Sequence, residues 1–262
     1  MKYDLPLFDP FLIASSGQCF RMHAQADTVT ALSGNRRLVI RALGGSLFDL
    51  DAPPEDLPYW ESYLDLDGPY AEALAALPAS DSYLQACASA CRGLRILRQD
   101  VFETLISFII SQRKSIPAIC GCVEKLCRAF GEKQEWGYAF PSPAALAGAE
   151  PEALAGCGVG YRAGYIRDTA RAFLLSPLPA EAPSDELLRA LLAFPGVGIK
   201  VASCVMLFAF HRLDAAPVDV WIQRVIREHY HGVNPFPSLG PYAGIYQQYM
   251  FFCARLPQTM DA

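Results

Sequence analysis

The sequence has no apolar run long enough to span a bilayer. Its longest candidates, around Val101–Ile110 and Val201–Phe210, have the length of buried helices. The N-terminus lacks a basic stretch followed by an apolar core, so we expect neither a secretory signal nor a membrane partner. The nine cysteines include no Cys-x-x-Cys pair. This favours reduced thiols in a bacterial cytoplasm over a disulfide framework.

Charged residues are also sparse, at 19% against 52% hydrophobic residues, which excludes a disordered chain. The net charge of -5 argues against a protein that coats nucleic acid nonspecifically. It leaves room for a local phosphate-binding site, because backbone amides and a few cations are sufficient there. The 262 residues allow one large domain or two to three small ones, and we expect a monomer.

The first 60 residues carry short apolar runs separated by Gly and Asn turns. Runs near 28–32, 36–41 and 46–50 predict an antiparallel meander, which Ala52-Pro53-Pro54-Glu55 ends. From about Leu57 the apolar spacing becomes helical. We therefore predict a small N-terminal sheet followed by helices.

Two helices are predicted within 99–131, the first capped by Asp100 and the second by Ser115. Further helices are expected near 143–147, 151–156 and 161–175, before breaks at Pro177, Pro179 and Pro183. The predicted fold class is α+β, mainly α. It has an N-terminal antiparallel β-sheet subdomain at 1–98 and a helical domain at 99–262.

Residues 186–207 predict two helices joined by the tight turn Pro195-Gly196-Val197-Gly198. Pro195 ends the first helix, and the two glycines permit positive φ and a close approach to the backbone. The second helix begins with unpaired N–H groups, which attract anions. The turn alone fits an ordinary pair of helices. With Lys200 directly after it, we favour a helix-hairpin-helix that binds DNA phosphate.

The run Leu-x-x-Phe-Pro-Gly-Val-Gly-x-Lys-x-Ala at 191–202, followed by Pro217-Val218-Asp219-Val220, resembles the helix-hairpin-helix DNA glycosylase superfamily. Four more segments resemble its eukaryotic-type 8-oxoguanine DNA glycosylases, in the expected order over nearly the whole chain: 16–21, 97–100, 158–163 and 240–244. The resemblance implies a bifunctional glycosylase and AP lyase. Its partner would be double-stranded DNA that contains a damaged purine, and it would need no cofactor or metal.

Excision of a purine breaks the C1′–N9 bond while positive charge builds on the sugar. The resemblance makes Lys200 the amine that attacks C1′, giving a Schiff base whose β-elimination cleaves the strand. Its place at a helix N-terminus and burial would both disfavour the ammonium form. Asp219 would stabilise the sugar cation and assist proton transfers. Lys200 as a phosphate contact and Asp219 as a plain helix cap are the alternatives, and capping is compatible with catalysis.

The resemblance also implies a base pocket. Cys204 and Phe251 would lie against the two faces of the flipped base, and Gln247 would hydrogen-bond its Watson–Crick edge. Gly17 would offer its carbonyl to the N7–H that 8-oxoguanine has and guanine lacks. Trp221 would support the pocket. For Cys204 and Phe251, ordinary core packing is the alternative.

The expected DNA contacts include the hairpin turn Gly196-Val197-Gly198 and the linker residues Arg113 and Lys114. Tyr161 and Arg162 would enter the gap left by the flipped nucleotide and contact the orphan base. These assignments come from the resemblance.

The sequence departs from the family pattern at three positions. Arg113 stands where an asparagine is expected, Ala118 where an arginine contacts the opposite cytosine, and Trp221 where a histidine is expected. These departures leave the opposite-base preference open. Cys253 has no neighbouring cysteines in the sequence, so we expect no iron–sulfur cluster.

Three alternative functions remain open. A monofunctional alkylpurine glycosylase would activate water and would not need Lys200. A noncatalytic helix-hairpin-helix module would bind DNA without Lys200 or Asp219. The acidic pI near 5.4 also permits a soluble metabolic enzyme, which salt-dependent DNA binding would exclude.

Overall fold

A computed structural model describes residues 1–176 and 178–256. It consists of an N-terminal antiparallel sheet and a larger helical region, as predicted. The predicted break at Pro177 lies outside the described residues. Within the described ranges, no helix is both long and apolar enough to cross a membrane.

The sheet has five strands in the order β1-β5-β4-β3-β2. Their bounds are β1 (Lys2–Asp4), β2 (Met22–Gln25), β3 (Thr28–Ser33), β4 (Arg36–Gly44) and β5 (Leu47–Asp51). The predicted meander is β3, β4 and β5. Gly34, at φ +54, opens the two-residue turn between β3 and β4. Alternate residues of β3 are buried, so one face of the sheet covers a core.

Helices form most of the rest of the described chain. The first four are α1 (Pro10–Ser15), α2 (Leu57–Tyr63), α3 (Tyr70–Ala75) and α4 (Ser82–Ala90). Next come α5 (Val101–Ser111), α6 (Ile116–Phe130), α7 (Pro143–Ala147), α8 (Pro151–Leu154) and α9 (Arg162–Leu175). The last four are α10 (Ser184–Leu192), α11 (Ile199–Phe208), α12 (Val220–His229) and α13 (Ala243–Arg255). A short hairpin of β6 (Lys133–Gln134) and β7 (Gly137–Tyr138) follows α6.

The α5 helix begins at the predicted cap, because Asp100 Oδ1 accepts from the Glu103 backbone N–H at 2.8 Å. Residues 102–111 are all buried, so α5 is packed on every side and not on a single apolar face. The Glu103 carboxylate accepts from the Gly34 N–H at 3.0 Å and lies 3.4 Å from Arg21 Nη1. Burial raises the pKa of Glu103 to about 7, although Arg21 opposes the shift. These contacts fasten the sheet to the central helix.

Two apolar cores lie side by side. One lies under the sheet and includes Trp60, Tyr63 and Leu97. The other belongs to the helical region, and it includes Leu84 and Cys87 of α4. Helices α3 and α4 therefore pack with the helical core, although they precede residue 98 in the chain. The reason is tertiary, since α4 packs against α13.

A buried carboxylate near the C-terminal end of α11 connects the sheet region with the helical region. Asp65 accepts from Tyr70 Oη at 2.7 Å and from Arg98 Nε at 2.8 Å, and lies 3.0 Å from His211 Nε2. Burial would raise the pKa of Asp65, but these partners, His211 foremost, lower it below its ordinary value. Because His211 closely follows α11, this group fixes the far end of the helix that carries Lys200.

Candidate active site

The predicted hairpin is present as α10, a tight turn and α11. Gly196 has φ +76, and a Cβ there would lie 2.7 Å from the ring of Tyr165, so both conformation and space require glycine. Gly198 has an extended backbone, φ -98 and ψ 177, with open space around it. Gly198 therefore does not use the positive φ that glycine permits, because it occupies the N-cap of α11, where an extended backbone is usual.

Other elements hold the turn in place. Gln112 Nε2 donates to the Gly196 carbonyl at 3.0 Å, and Thr169 Oγ1 donates to the Pro195 carbonyl at 2.8 Å. Val197 is buried, and its N–H donates to Phe194 O at 3.1 Å. Among the residues that the structure describes, no side chain caps the start of α11. Its first N–H groups are therefore available to an anion.

A cavity of about 790 Å³ opens beside this hairpin. All the predicted catalytic and base-pocket residues line it, together with the two predicted linker residues: Gly17, Arg113, Lys114, Lys200, Cys204, Asp219, Trp221, Gln247 and Phe251. Residues that are far apart in the sequence thus meet in one site large enough for a nucleobase.

Lys200 lies in the first turn of α11 and is half-buried. Its Nζ lies 5.1 Å from the centroid of the Phe108 ring. Cys204, one turn further along α11, is buried. Burial raises the pKa of the Cys204 thiol, the nearby Lys200 charge lowers it, and the Asp219 carboxylate raises it again. The net increase favours a neutral thiol beside the lysine.

Asp219 caps α12, as predicted. Its Oδ1 accepts from the backbone N–H groups of Trp221 at 3.0 Å and Ile222 at 2.9 Å. Within 1–176 and 178–256, no donor hydrogen-bonds to the other oxygen, Oδ2. The cap therefore fixes the direction of the carboxylate and leaves one oxygen for a positive charge.

The opposite wall of the cavity combines the turn after α1 with α13. Gly17 has φ +81, and a Cβ there would lie 2.6 Å from Ile116 Cδ1 and 3.4 Å from Phe251 Cε1. Gln247 and Phe251 lie four residues apart on α13 and so share one face. This glycine is required by its conformation and by the close approach of the neighbouring side chains.

Several cavity residues were missed in the sequence. Phe108 and Phe208 stack with centroids 5.5 Å apart, and both line the cavity. Gln248 is buried, and its Nε2 donates to Gln247 Oε1 at 3.3 Å. Arg255 lies one turn after Phe251. Of these residues, only Arg255 could have been found from the sequence, because positions 247, 251 and 255 lie on the same face of one helix.

Tyr161 and Arg162, at the start of α9, were predicted to enter the DNA together, but only one of the two side chains is exposed. Tyr161 projects from the surface with 62% of its area exposed, whereas Arg162 is 5% exposed. Arg162 Nη1 donates to Val159 O at 3.1 Å, and Nη2 donates to Gln112 O. Its guanidinium lies 4.3 Å from the Tyr161 ring centroid. Loop carbonyls thus hold Arg162 inside, and contact with an orphan base would require it to change position.

The α5–α6 linker lies beside the same turn. Lys114 Nζ donates to Gly158 O at 3.0 Å, so this side chain ties the two loops together. Arg113 is exposed and has φ +52, an uncommon conformation for a residue with a side chain. Ala118 is exposed on α6 and offers no hydrogen-bonding group.

Two family models match the chain. One, the HhH-GPD superfamily base excision DNA repair protein, matches residues 106–236. The other, the N-terminal domain of 8-oxoguanine DNA glycosylase, matches residues 7–105. The probable N-glycosylase/DNA lyase of Methanothermobacter thermautotrophicus is 31% identical over 69% of this chain and 70% of its own length. The N-glycosylase/DNA lyase of Saccharomyces cerevisiae is 35% identical over 53% of this chain and 42% of its own length.

A solved structure extends the similarity over the whole fold. The Clostridium acetobutylicum 8-oxoguanine glycosylase/lyase, in complex with double-stranded DNA containing cytosine opposite 8-oxoguanine, has a TM-score of 0.89 and 31% identity. The match covers 95% of this chain and 92% of that one. The chain belongs to the HhH-GPD superfamily of base excision DNA repair proteins and carries the N-terminal domain of the 8-oxoguanine DNA glycosylases.

Proposed function

We propose that this protein is a bifunctional DNA glycosylase and AP lyase that removes oxidised purines, 8-oxoguanine in particular, from double-stranded DNA. The observation that carries the proposal is the shared cavity. It places Lys200 and Asp219 beside Gly17, Gln247 and Phe251. The named activities of the similar proteins from Methanothermobacter and Clostridium support the same reaction.

In the proposed reaction the DNA backbone binds at the hairpin turn, and the damaged purine turns out of the stack into the cavity. Its faces lie against Cys204 and Phe251, and its Watson–Crick edge meets Gln247. The carbonyl of Gly17 accepts the N7–H of 8-oxoguanine. Guanine has a bare N7 there, which cannot donate to the carbonyl.

The chemical step forms a bond between Lys200 Nζ and C1′ while the C1′–N9 bond breaks. The purine leaves with the electron pair of that bond and is then protonated. Loss of a proton from the attached nitrogen and opening of the sugar ring give the Schiff base. Removal of a C2′ proton then expels the 3′ phosphate. Asp219 stabilises the positive sugar through its unbonded oxygen.

One chain supplies every residue of this reaction, so the proposed active form is a monomer. The proposed DNA contacts are the hairpin turn, Tyr161 and the linker residues Arg113 and Lys114. Tyr161 is already exposed for this role. Arg162 would join only after leaving its carbonyl partners.

A panel of duplexes tests the proposal, each carrying one lesion: 8-oxoguanine, a formamidopyrimidine, a methylated purine or none. We expect strand cleavage of the 8-oxoguanine duplex without alkali. Cleavage that appears only after hot alkali would identify a monofunctional enzyme. Cleavage of the methylated duplex alone would favour an alkylpurine glycosylase. Salt-dependent binding without any cleavage would indicate a noncatalytic module.

A further inference from the structure

The guanidinium of Arg255, at the C-terminal end of α13, lies where separate parts of the pocket wall meet. Its Nη1 donates to the Ser16 carbonyl at 3.0 Å and lies 3.4 Å from the Ser15 carbonyl. Its Cζ lies 5.0 Å from the centroid of the Phe251 ring. A Cβ on Gly17 would lie 3.1 Å from Nη1. One side chain therefore contacts both the turn that carries Gly17 and the aromatic ring beside it.

The turn that contains Gly17 is also held by contacts that do not involve α13. Gln18 is fully buried, and its Nε2 donates to Ser16 Oγ at 3.0 Å and to Arg95 O at 2.8 Å. Its Oε1 accepts from the Leu97 N–H at 2.8 Å. The backbone of Gly17 thus lies between the buried Gln18 and Arg255. The hydrogen bond from Arg255 links this backbone to α13.

The charge of Arg255 strengthens these contacts with backbone carbonyls. Among residues 1–176 and 178–256, no carboxylate lies within ion-pair distance of it. Burial lowers the pKa of Arg255, and the Asp219 carboxylate opposes that shift. A partly desolvated cation that donates to backbone carbonyls forms strong, directional hydrogen bonds.

We propose that Arg255 is a positioning residue for lesion recognition, which holds the Gly17 carbonyl at a fixed distance from the Phe251 ring. The inference rests on the proposed function. Arg255 does not touch the reacting atoms and acts through Gly17 and Phe251. Without the Arg255 guanidinium, the hydrogen bond that links the turn at Gly17 to the end of α13 is lost. The Gly17 carbonyl is then less well placed to accept the N7–H of 8-oxoguanine. Lys200 and Asp219 keep their positions, because α11 and the cap of α12 hold them.

The experiment measures binding in a Lys200→Gln parent, so that excision does not consume the DNA. Affinities are compared for three duplexes, which contain 8-oxoguanine, guanine or a tetrahydrofuran abasic analogue. Arg255→Met removes the donors and keeps an unbranched side chain, while Arg255→Lys keeps the charge. Arg128→Met is the matched control, because Arg128 is exposed and pairs only with Glu124 within the described chain.

We expect Arg255→Met to lower the ratio of 8-oxoguanine to guanine affinity about tenfold, as for one lost charged hydrogen bond. Binding of the abasic duplex should stay the same, since no base enters the pocket. Arg255→Lys should fall between the parent and Arg255→Met, and Arg128→Met should match the parent. A general structural role would not change this ratio selectively.

Equal losses on all three duplexes would make Arg255 a phosphate contact and overturn the inference. A ratio that Arg255→Met leaves unchanged would also overturn it. If Arg255→Met does not fold, the lysine variant decides, and an unchanged ratio there has the same meaning. A parent without any preference for 8-oxoguanine would overturn the proposed function, and the inference with it.

Discussion

The two walls of the cavity are built in different ways. The wall that carries the proposed chemistry has Lys200 in the first turn of α11 and Asp219 at the cap of α12. Each position is fixed by a local feature, the glycine turn in one case and the capping hydrogen bonds in the other. The wall that would recognise the base joins Gly17, which follows α1, to Phe251 on α13. That wall exists only when opposite ends of the chain meet.

This difference indicates that chemistry and recognition can be altered separately. Changes to local caps and turns should affect the rate of excision, and changes to the long-range wall should affect the choice of base. The two walls also differ in how much of each can be predicted from the sequence. Local motifs are visible in the sequence, whereas long-range contacts are not.

The largest effect is expected at the nucleophile. Lys200→Gln should abolish the covalent protein–DNA adduct that borohydride traps on an 8-oxoguanine duplex, because no primary amine then lies at C1′. Duplex affinity should be retained, since the hairpin turn and the recognition wall are intact. Undiminished trapping by this variant would remove Lys200 from the mechanism.

Asp219→Asn should distinguish the effect of the Asp219 negative charge from the effect of its helix cap. Asparagine also caps helices, so the melting temperature should change little. Loss of the negative charge should lower single-turnover excision by roughly two to four orders of magnitude. A variant that excises at nearly the wild-type rate, with an unchanged melting temperature, would show that Asp219 is only a cap.

Opposite-base selectivity tests the recognition of the orphan base, outside both walls. Ala118 offers no donor, and Arg162 is held by loop carbonyls. We therefore expect the preference for cytosine over adenine opposite 8-oxoguanine to be smaller than in the eukaryotic-type relatives. Ala118→Arg should raise that preference roughly ten- to a hundredfold, because it supplies a guanidinium donor for the cytosine.

Single-turnover rates on the four opposite-base duplexes provide the measurement. Activity confined to the cytosine duplex in the unmodified protein would contradict the prediction. It would mean that Arg113 and Arg162 are sufficient for strict selection.

The smallest effects are expected from the two hairpin glycines, which form a matched pair. Gly196→Ala should lower the free energy of unfolding by about 1–2 kcal/mol, because it forces a left-handed conformation on alanine. It also brings a Cβ against Tyr165. Gly198→Ala should have a smaller effect on stability, since its backbone is extended and its surroundings are open.

For DNA binding we expect the reverse order, with a larger loss of affinity for Gly198→Ala than for Gly196→Ala. A methyl group on Gly198 would stand where a phosphate approaches the start of α11, and should weaken binding of all duplexes alike. Urea unfolding and salt-dependent binding would measure the two effects. Equal stability losses from both variants would show that the turn needs two flexible residues after all.

Much of the fold could be predicted because its signals are local. The helix predicted near 143–147 is present with those bounds, and the caps at Asp100 and Asp219 are present. The meander of β3, β4 and β5 follows from alternating apolar residues and a Gly-Asn turn. The strands β1 and β2 are only 3 and 4 residues long and gave no periodic signal. They pair with partners that the sequence does not identify.

The same limit applies to the site. The resemblance supplied every predicted cavity residue, and the cavity collects them. The inward position of Arg162 depends on the carbonyl of Val159, three residues earlier, and on that of Gln112 in the distant α5–α6 linker. The stacked Phe108 and Phe208 look like ordinary core residues in apolar helices. No local pattern distinguishes such residues from the many that only pack.

The distance along the chain between Gly17 and Phe251 has a consequence for protein synthesis. Lys200 and Asp219 leave the ribosome before α13, but the wall that selects a base is not complete until α13 has been made and has packed on α4. A chain that stops early therefore carries the groups for strand cleavage on an unfinished helical core, without a folded pocket around them. We therefore expect a copy of the protein that stops before α13 to lack base recognition.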